Sequence, residues 1–534
     1  MTPAYPARDM FAPNKVLTTG SELWRWRAEA TPERIFLRYE GKTWTFGTID
    51  LEARRVAAAL ATLGVTRATR VAVGLTNRPE ALSLQLALQQ LGAISVPLLP
   101  GLRFGELEYP LRHSKATVLV VDGPVGAAIL PRLQAFPDVS TVVATEDLVV
   151  PAGVDAMRFA ALVTSAPLDP SPLRGHDAST LAMILYTSGS TGRPKGVMIC
   201  AGSFATVGDA FAAKFGLVSD DNYFLPTPMA HAVGALTAVG IAVHTGSAIT
   251  LVDRFRPSSF WQQVIDNRVT TSILFPAHLN FLLEADHGMP GPDEHPLRLV
   301  ITHTFSRRFR QRFGVQLATV WGMTETGAIC TGSEPGYEGE FGESYVGTAM
   351  RGAEVGVFDE RFHRLRPSEA GEICLRHRNT MLGYLDDPEG TAKTLVDGWI
   401  RSGDRGVIDD HGRVFFGGRF KNMIKRSGEN ISAEEVELVL DEHPEVSECA
   451  VFGVPDRLRS EEVGAVVVVR RGAKVSPSEL RRVGAERLSR WKLPRYVLIR
   501  DDPLPRLANG KIDRVALTTC FEPTLAWDAE APSK

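Results

Sequence analysis

A run of glycine, serine and threonine follows an apolar stretch near the middle of the chain. Residues 181–186 read LAMILY, and residues 186–197 read YTSGSTGRPKGV. The apolar stretch has the length of a buried strand, and glycines let backbone amides approach a ligand closely. Open α/β sheets bind ligands at the carboxyl ends of their strands. The two stretches together therefore predict an α/β fold with a phosphate-binding loop after a buried strand.

The loop matches neither of two familiar phosphate-binding patterns. Pro194 precedes Lys195 and Gly196 follows it, so the pattern G-x-x-x-x-G-K-[ST] fails, and the dinucleotide pattern G-x-G-x-x-G does not fit either. A run of glycine and serine alone is most simply an ordinary loop. The lysine and the proline at fixed places favour a specialised anion site.

Composition limits the classes of function. The chain has 534 residues, which is more than one hydrophobic core usually organises, so two or more domains are expected. The formal net charge of −3 argues against a dedicated nucleic-acid surface. The five cysteines show no C-x-x-C spacing, so a reducing cytoplasm is the simplest setting. No apolar run reaches the length of a membrane span, so no membrane-spanning segment is expected.

The order of patterns predicts an α/β architecture with a second, smaller domain. Helical patterns alternate with short β-branched runs up to about residue 180, and residues 81–100 predict a buried helix that stops at Gly92 and passes into a strand. Glycine-punctuated short strands after residue 340 indicate a β-rich subregion. A compact α/β pattern begins after about residue 421.

Five further stretches accompany the glycine-rich loop. They are PMAHAVG (228–234), VWGMTET (320–326), WIRSGDRG (399–406), GGRFKNMIKRSGENIS (417–432) and PRLANGKIDR (505–514). In order and spacing, the six stretches resemble the adenylate-forming superfamily of acyl-CoA synthetases, adenylation domains and firefly luciferase, over nearly the whole chain. NMIKRSGENIS and the later VFGVPDRLRSEEVGA most resemble acyl-CoA ligases of the crotonobetaine/carnitine-CoA ligase type.

The resemblance implies a domain organisation. It implies a large N-terminal α/β domain of several subdomains with a β-rich subregion, followed by a small mobile C-terminal α+β domain. The boundaries expected are an AMP-binding domain over 1–418, a hinge over 419–422, the mobile domain over 423–522 and a flexible tail over 523–534.

The resemblance also implies an ATP site. The residues expected to wrap the β- and γ-phosphates are Thr187, Ser188, Gly189, Ser190, Thr191 and Gly192. Lys195 would fix this loop or the leaving pyrophosphate. Glu325 would hold Mg²⁺, a hard cation suited to one carboxylate and phosphate oxygens, with Thr187 as a second ligand.

Other residues would hold the nucleoside and the α-phosphate. Trp321, where the family usually has tyrosine, would stack on adenine, and Thr324 would reach the α-phosphate. Asp404 would accept from both ribose hydroxyls, and Arg419 would add a ribose or phosphate contact. The remaining residues expected at the nucleotide are Gly322 and Met323.

Three residues belong to the implied alternation of the small domain. Lys511 would lie between the carboxylate and the α-phosphate in the first half-reaction, since a compact cation on a flexible stem can serve both anions. Lys421 would be the pivot. Rotation would then bring a second face, which carries Gly428, to open a tunnel for the thiol acceptor.

The acid-binding region departs from the family pattern. His231, Ala230 and Gly234 are expected at the substrate, although a lone histidine is more often structural, and Ala230 stands where an aromatic is common. VITHTF over 300–305 replaces the usual loop of small residues beside adenine, and RSEE over 459–462 replaces the commoner W-G-E-E/R. The first departure affects nucleotide selectivity and the second affects CoA docking.

The leading hypothesis is a cytoplasmic enzyme, an AMP-forming acyl- or aryl-CoA ligase. It would use ATP, Mg²⁺ and a small-molecule carboxylic acid, release pyrophosphate, transfer the acyl group to CoA, and act as a monomer or homodimer. Two alternatives keep the adenylating chemistry: an amide synthetase with an amine acceptor, and a diazo-forming enzyme that activates a small anion such as nitrite. A non-catalytic nucleotide-binding regulator is the alternative from another class.

Overall fold

The computed structural model describes residues 18–169, 177–187, 194–285, 289–328, 331–342, 344–419, 423–470, 475–506 and 512–531. The strands in chain order are β1 (Ile35–Tyr39), β2 (Lys42–Thr45), β3 (Arg70–Gly74), β4 (Ile94–Pro97), β5 (Val118–Val121), β6 (Thr141–Ala144), β7 (Asp155–Arg158), β8 (Leu181–Thr187), β9 (Lys195–Cys200), β10 (Asn222–Leu225), β11 (Ala248–Leu251), β12 (Thr271–Ile273), β13 (Leu299–Thr302), β14 (Gln316–Trp321), β15 (Thr331–Gly332), β16 (Tyr345–Ala349), β17 (Glu354–Phe358), β18 (Gly371–Arg376), β19 (Leu395–Val396), β20 (Trp399–Ile408), β21 (Val414–Arg419), β22 (Met423–Arg426), β23 (Glu429–Ser432), β24 (Val446–Asp456), β25 (Ser460–Val469), β26 (Tyr496–Arg500) and β27 (Trp527–Asp528).

The α-helices are α1 (Gly20–Ala30), α2 (Phe46–Thr62), α3 (Pro79–Leu91), α4 (Phe104–Ser114), α5 (Gly123–Ile129), α6 (Phe159–Leu162), α7 (Gly202–Phe215), α8 (Val239–Thr245), α9 (Pro257–Asp266), α10 (Pro276–Glu284), α11 (Arg307–Phe313), α12 (Pro388–Thr394), α13 (Ala433–Asp441), α14 (Pro477–Arg487) and α15 (Arg514–Cys520). A π-helix covers Val233–Ala238, and 3₁₀ segments cover Leu130–Ala135, Thr324–Thr326, Arg490–Lys492 and Pro523–Leu525. No helix in the described ranges is long and apolar enough to cross a membrane.

The first sheet carries the glycine-rich hairpin at its edge. Its strand order is β7-β6-β5-β3-β4-β8-β9, and every pair is parallel except the final β8/β9 hairpin. Helix α3 lies before β4 and is buried along most of its length. It ends at Gly92 in the left-handed conformation (φ +65°), which glycine adopts without a Cβ penalty. The helix-to-strand transition predicted over 81–100 is therefore confirmed.

The second sheet changes from parallel to antiparallel pairing at β14. Strands β1, β11, β10, β12, β13 and β14 follow one another in parallel, and β15, β16, β21, β20, β18 and β17 continue the sheet in antiparallel fashion. The antiparallel part is the β-rich subregion predicted after residue 340. Trp321 ends β14, so it lies where the pairing changes. Such a change in a sheet's order leaves a crevice for a ligand.

The third sheet forms the small C-terminal domain. Its strands follow the order β23-β22-β25-β26-β27, with β24 paired to β25. Helices α13 and α14 cover one face, where Val436 and Leu480 pack with Val467. Leu517 of α15 packs on the opposite face. A sheet with two buried faces has a core of its own, which agrees with the predicted α+β domain.

The end of the chain differs from the predicted flexible tail. Within residues 523–531, β27 pairs with β26 in antiparallel register. Asp528 accepts from the Arg495 guanidinium at 3.0 Å from Nε and 3.2 Å from Nη2. Polar composition alone favoured a tail, but this pairing and this ion pair attach the segment to the C-terminal sheet.

Candidate active site

A cavity of about 410 Å³ lies between the large domain and the small domain. Residues of all three sheets line it, among them Lys195 of β9, Ser402 of β20 and Lys425 of β22. The sequence-predicted residues in its wall are Thr187, Lys195, His231, Trp321, Gly322, Met323, Thr324, Glu325 and Gly428. The structure thus brings together residues from five of the six stretches that carried the resemblance.

The glycine-rich hairpin opens toward this cavity. Thr187 and Lys195 lie opposite each other as the last pair of β8 and β9. The Lys195 ammonium lies 4.3 Å from the ring centroid of Tyr384 and 3.5 Å from a carboxylate oxygen of Asp387. These two contacts hold the Lys195 ammonium at the base of the glycine-rich loop. The five loop residues predicted to wrap phosphate, 188–192, lie outside the described residues.

Glu325 is a buried carboxylate in the cavity wall. It lies in the 3₁₀ turn Thr324–Thr326 and is 8% exposed. The Tyr384 hydroxyl donates to Glu325 Oε1 at 2.8 Å. Burial and the neighbouring Glu325 raise the pKa of Tyr384 well above its usual range, so the hydroxyl keeps its proton at neutral pH. Tyr384 therefore links Glu325 to Lys195.

The donor set at this end of the cavity fits Mg²⁺ that is shared with phosphate. Glu325 offers one carboxylate, and Thr187 offers a hydroxyl from the same cavity wall. In the described part of the chain, no group of three or more histidine, cysteine, aspartate or glutamate side chains could hold a metal on its own. Mg²⁺ commonly takes one or two carboxylates and completes its shell with phosphate oxygens and water. Glu325 and Thr187 fit this pattern of Mg²⁺ coordination.

Trp321, in the cavity wall, contacts Asp404, and both residues are predicted at the nucleoside. The indole Nε1 of Trp321 donates to Asp404 Oδ2 at 2.8 Å, and both side chains are buried. Trp321 also packs with Val346 and Val414. Ser402 Oγ accepts from the Asp404 backbone N–H at 2.9 Å. The carboxylate is therefore oriented from both the side chain and the backbone.

Of three residues predicted near the hinge and near the C-terminus, the structure describes one, Arg419. Arg419 ends β21 opposite Asp404 in the antiparallel register, which places the two residues side by side in the backbone. Lys421 and Lys511 lie outside the described residues. Their predicted roles as pivot and catalytic cation remain predictions.

An aromatic group lies at the other end of the cavity. The rings of Phe275 and His303 are stacked with centroids 5.5 Å apart, and His231 meets Phe275 edge-on at 6.0 Å. Burial lowers the pKa of His231, and the Val233 N–H donates to its Nδ1 at 3.2 Å. The neutral imidazole then carries its proton on Nε2. His303 belongs to the unusual loop that the sequence analysis identified.

Gly428 brings the small domain onto this aromatic group. Its φ of +93° is one that side-chain-bearing residues rarely adopt. A methyl group at this position would lie 2.3 Å from Cδ2 of Phe275. The contact therefore requires glycine for its conformation and for its space.

Two predicted substrate residues lie away from the main cavity. Ala230 lines a separate small cavity of about 20 Å³ together with Gln85 and Met183. Gly234 lies in the π-helix, where a Cβ would come within 2.4 Å of the Pro228 carbonyl oxygen. Of the three residues predicted at the substrate, only His231 lines the main cavity.

Sequence reasoning missed Tyr384, Phe275 and the contribution of Lys425. Each lies in the cavity wall, but none stood out in a local pattern. Tyr384 follows a glycine in the segment between β18 and α12, where a single tyrosine carries no functional signal. Its pairing with Glu325 joins positions 59 apart, and no periodicity reports such a contact.

Comparisons with known proteins agree with this geometry. A crotonobetaine/carnitine–CoA ligase from Escherichia coli is 32% identical over 482 residues, which cover 87% of this chain and 91% of that protein. The amide bond synthetase McbA from Marinactinospora thermotolerans has a TM-score of 0.81 at 27% identity, with 93% and 99% of the two chains covered.

The o-succinylbenzoate CoA synthetase from Bacillus subtilis is similar in two solved structures. A double mutant bound with the product analogue OSB-NCoA has a TM-score of 0.82 at 26% identity, covering 93% of this chain and 98% of that one. In complex with AMP, the same synthetase has a TM-score of 0.66 at 26% identity, covering 93% and 97%. This chain is therefore arranged more like the synthetase that holds the CoA product analogue.

The fold and the cavity define an adenylate-forming enzyme. The model of the AMP-binding enzyme family matches residues 24–385, and that of the AMP-binding enzyme C-terminal domain matches residues 435–511. The chain belongs to the AMP-binding enzyme family. The sequence-based predictions of fold class, family and an AMP-forming ligase are confirmed.

Proposed function

We propose that this chain is an AMP-forming acid–CoA ligase that acts on a small-molecule carboxylate. The carboxylate attacks the α-phosphorus of ATP, and pyrophosphate leaves. The CoA thiol then loses its proton and attacks the acyl carbon. A carbon–sulfur bond forms, the bond between the acyl carbon and the phosphate oxygen breaks, and AMP leaves. The acid–CoA ligases among its relatives support this proposal.

One observation carries the proposal. A single cavity joins the Glu325 end, suited to nucleotide and metal, to the point where Gly428 of the small domain meets Phe275. An adenylating enzyme needs the first end. Transfer to a separate acceptor needs a second approach to the same acyl group, and the Gly428 contact supplies a place for it.

In the first half-reaction, the chain's residues position two anions and neutralise charge. Asp404, held by Trp321, would orient the ribose, and the Thr324 hydroxyl would reach the α-phosphate. Lys195 would stabilise the pyrophosphate as it leaves. Fixed donors aimed at developing charge are the largest single contribution in many enzymes. Lys511 is proposed as the second cation of this step.

Mg²⁺ would be held by Glu325 and Thr187 and would neutralise phosphate charge when bound. The residue that fixes Glu325 is Tyr384, through its hydroxyl. A neutral donor at this carboxylate orients it without competing for its charge.

In the second half-reaction, the small domain presents the Gly428 face. His231 and His303 both contact Phe275, and they would lie beside the acyl group. The neutral His231 imidazole, the His303 ring and Phe275 would form a wall that excludes water from the reactive adenylate.

An amide synthetase is the second candidate. The observation that favours it is the similarity to the amide bond synthetase McbA, at a TM-score of 0.81. An amine would attack the same acyl carbon and displace AMP. Fold similarity alone does not choose between a thiol and an amine.

The test supplies the purified chain with ATP, Mg²⁺ and a panel of carboxylic acids, and measures pyrophosphate release. Acids that release pyrophosphate are then incubated with CoA or with a panel of amines, and products are identified by mass. A thioester is expected. Amide formation with amines, without thioester from any activated acid, would replace the ligase proposal with the amide synthetase.

A further inference from the structure

A buried ion cluster crosses from the large domain to the small domain. The Lys492 ammonium lies 2.9 Å from Glu106 Oε1 and 2.7 Å from Glu435 Oε1. The Ser489 hydroxyl donates to the other carboxylate oxygen of Glu106. Glu106 belongs to α4 of the large domain, and the other three residues belong to the small domain. We call these four residues the Lys492 cluster.

The cluster is shielded from water. The side chains of Lys492, Glu106 and Glu435 are 12%, 5% and 15% exposed. Beside the cluster, Trp491 packs against Gly101, where an added Cβ would meet the indole ring at 3.2 Å. Buried charges are tolerated only when they are well paired, and removal of one partner is strongly destabilising. Removal of one partner here is therefore expected to cost much more than removal of one partner of an exposed ion pair.

Glu106 is itself fixed in the large domain. Its Oε2 accepts from the Arg103 backbone N–H at 3.0 Å, at the start of α4. Lys492 follows α14 in a 3₁₀ turn, and Glu435 lies in the first turn of α13. The ammonium is thus held between a rigid point on one domain and a rigid point on the other.

The cluster belongs to the same domain arrangement as the Gly428 contact. With the small domain in this position, Gly428 lies against Phe275 in the cavity. A rotation of the small domain relative to the large domain would separate Glu106 from Lys492 and Ser489. A separated Glu106 would need new hydration, and Lys492 would keep only Glu435.

We propose that Lys492 is a positioning residue for the acyl-transfer step. Its ion pair with Glu106 latches the small domain in the orientation that presents Gly428, and the latch opens for adenylate formation. This inference rests on the proposed function for its catalytic consequence. The latch itself is a property of the domain arrangement.

The kinetic test uses Glu106→Gln and Lys492→Met in the full chain. Acyl-adenylate formation is followed in single turnover without CoA, and transfer is followed from preformed adenylate after CoA is added. Transfer is expected to slow by about tenfold or more in both variants, since a buried pair is broken. Adenylate formation is expected to stay within about twofold of wild type.

A matched control comes from an exposed ion pair across the same domain boundary. Arg457 pairs with Glu284 at 2.5 Å, with side chains 71% and 30% exposed. Exposed pairs contribute little, so Arg457→Ala is expected to leave both half-reactions unchanged. Equal slowing of both half-reactions in Glu106→Gln and Lys492→Met, with a lower Tm, would show that the cluster only stabilises the fold and would overturn the proposal.

A second measurement tests the latch without any chemistry. Spin labels are placed at the exposed Cys520 and at Asp138→Cys, in a Cys330→Ser background. Wild type is expected to show one dominant distance between labels, and Glu106→Gln a broadened distribution with a second population. An unchanged distribution in both cluster variants would overturn the latch. Wild type that forms no adenylate with any acid would instead refute the proposed function and leave this result standing.

Discussion

The Trp321 indole N–H donates to Asp404 Oδ2 at 2.8 Å, across a buried junction between β14 and β20. The residue that ends the parallel part of the sheet thus orients the carboxylate offered by its antiparallel part. We therefore predict that Trp321 acts on the nucleotide through Asp404 as well as through its own ring.

Loss of this donor should weaken nucleotide binding. In Trp321→Phe, a ring remains but the carboxylate loses its partner, and the KM for ATP is expected to rise about tenfold, since a hydrogen bond to a charged group is worth about 1.5–3 kcal/mol. Steady-state kinetics measure this. Trp399→Phe is the control, because Trp399 is also 6% exposed but its ring contacts Arg376 outside the cavity wall. Equal KM changes in the two variants would contradict the assignment.

Removal of the hydroxyl that orients Glu325 should raise the Mg²⁺ requirement. Tyr384→Phe leaves the ring under Lys195 and removes only the donor to Glu325. The half-saturating Mg²⁺ concentration is therefore expected to rise several-fold, which is the effect of losing about one hydrogen bond to the carboxylate. A Mg²⁺ titration of pyrophosphate release measures it. Tyr337→Phe, which deletes a hydroxyl bonded to the Gly342 carbonyl elsewhere, should leave the titration unchanged.

Neutralisation of Glu325 should have a larger effect on the same titration. Glu325→Gln keeps the shape but removes the charge, and a neutral amide is a poor substitute for a carboxylate on a hard dication. The half-saturating Mg²⁺ concentration is expected to rise by more than in Tyr384→Phe. If the variant titrates like wild type, Glu325 is not a metal ligand.

A methyl group at position 428 should block transfer and spare activation. In Gly428→Ala, the new Cβ would overlap Phe275 at 2.3 Å, so the small domain cannot reach its position against the aromatic group. Thioester formation from preformed adenylate is expected to fall by about 10²-fold or more, with adenylate formation nearly unchanged. Rapid-quench assays of the two steps measure this.

The matched control for this prediction is Gly412→Ala. Gly412 also has a positive φ, +74°, but nothing lies within 4 Å of an added Cβ. This variant carries backbone strain without a clash, and it should retain both steps. Normal transfer in Gly428→Ala would show that the contact with Phe275 is not needed for acceptor entry.

Acid should destabilise the large domain through His278. Burial lowers the pKa of His278 to about 4, whereas the unfolded side chain titrates near 6.5. Between these values the unfolded state binds a proton that the folded state does not, so stability falls as pH falls from about 6.5 toward 4. The loss between pH 7 and pH 5 is expected to be about 1 kcal/mol. Urea unfolding of wild type and His278→Gln measures it, and an identical loss in the variant would exclude His278.

Local sequence patterns predicted much of the fold. The end of α3 at Gly92 and the strand before the glycine-rich loop follow from apolar runs and glycine placement, which act over a few residues. The residues expected at the nucleotide come from the resemblance of short motifs, and their binding roles stay predictions. Of the three residues predicted at the substrate, His231 lines the main cavity and Ala230 and Gly234 do not, and their roles stay predictions.

The contacts that connect the site were not predictable from local patterns. Tyr384 and Glu325 are 59 positions apart, and Ser489 and Glu106 are 383 apart. Such pairs depend on how sheets and domains pack, and a single sequence carries no periodic signal for them. The attachment of 523–531 to β26 was missed for the same reason, because a two-residue strand has no recognisable pattern.

The Lys492 cluster sets a condition for exchanging domains between members of this family. A chimera that keeps the large domain and takes a foreign small domain would bury Glu106 against whatever side chains arrive at positions 489 and 492. Without a hydroxyl and a cation at these positions, each domain of the chimera would fold, but the small domain would no longer be held in this orientation relative to the large domain. Compatibility between halves is therefore decided by a few buried charges as well as by the hinge, and a successful graft must carry Ser489, Lys492 and Glu435 together.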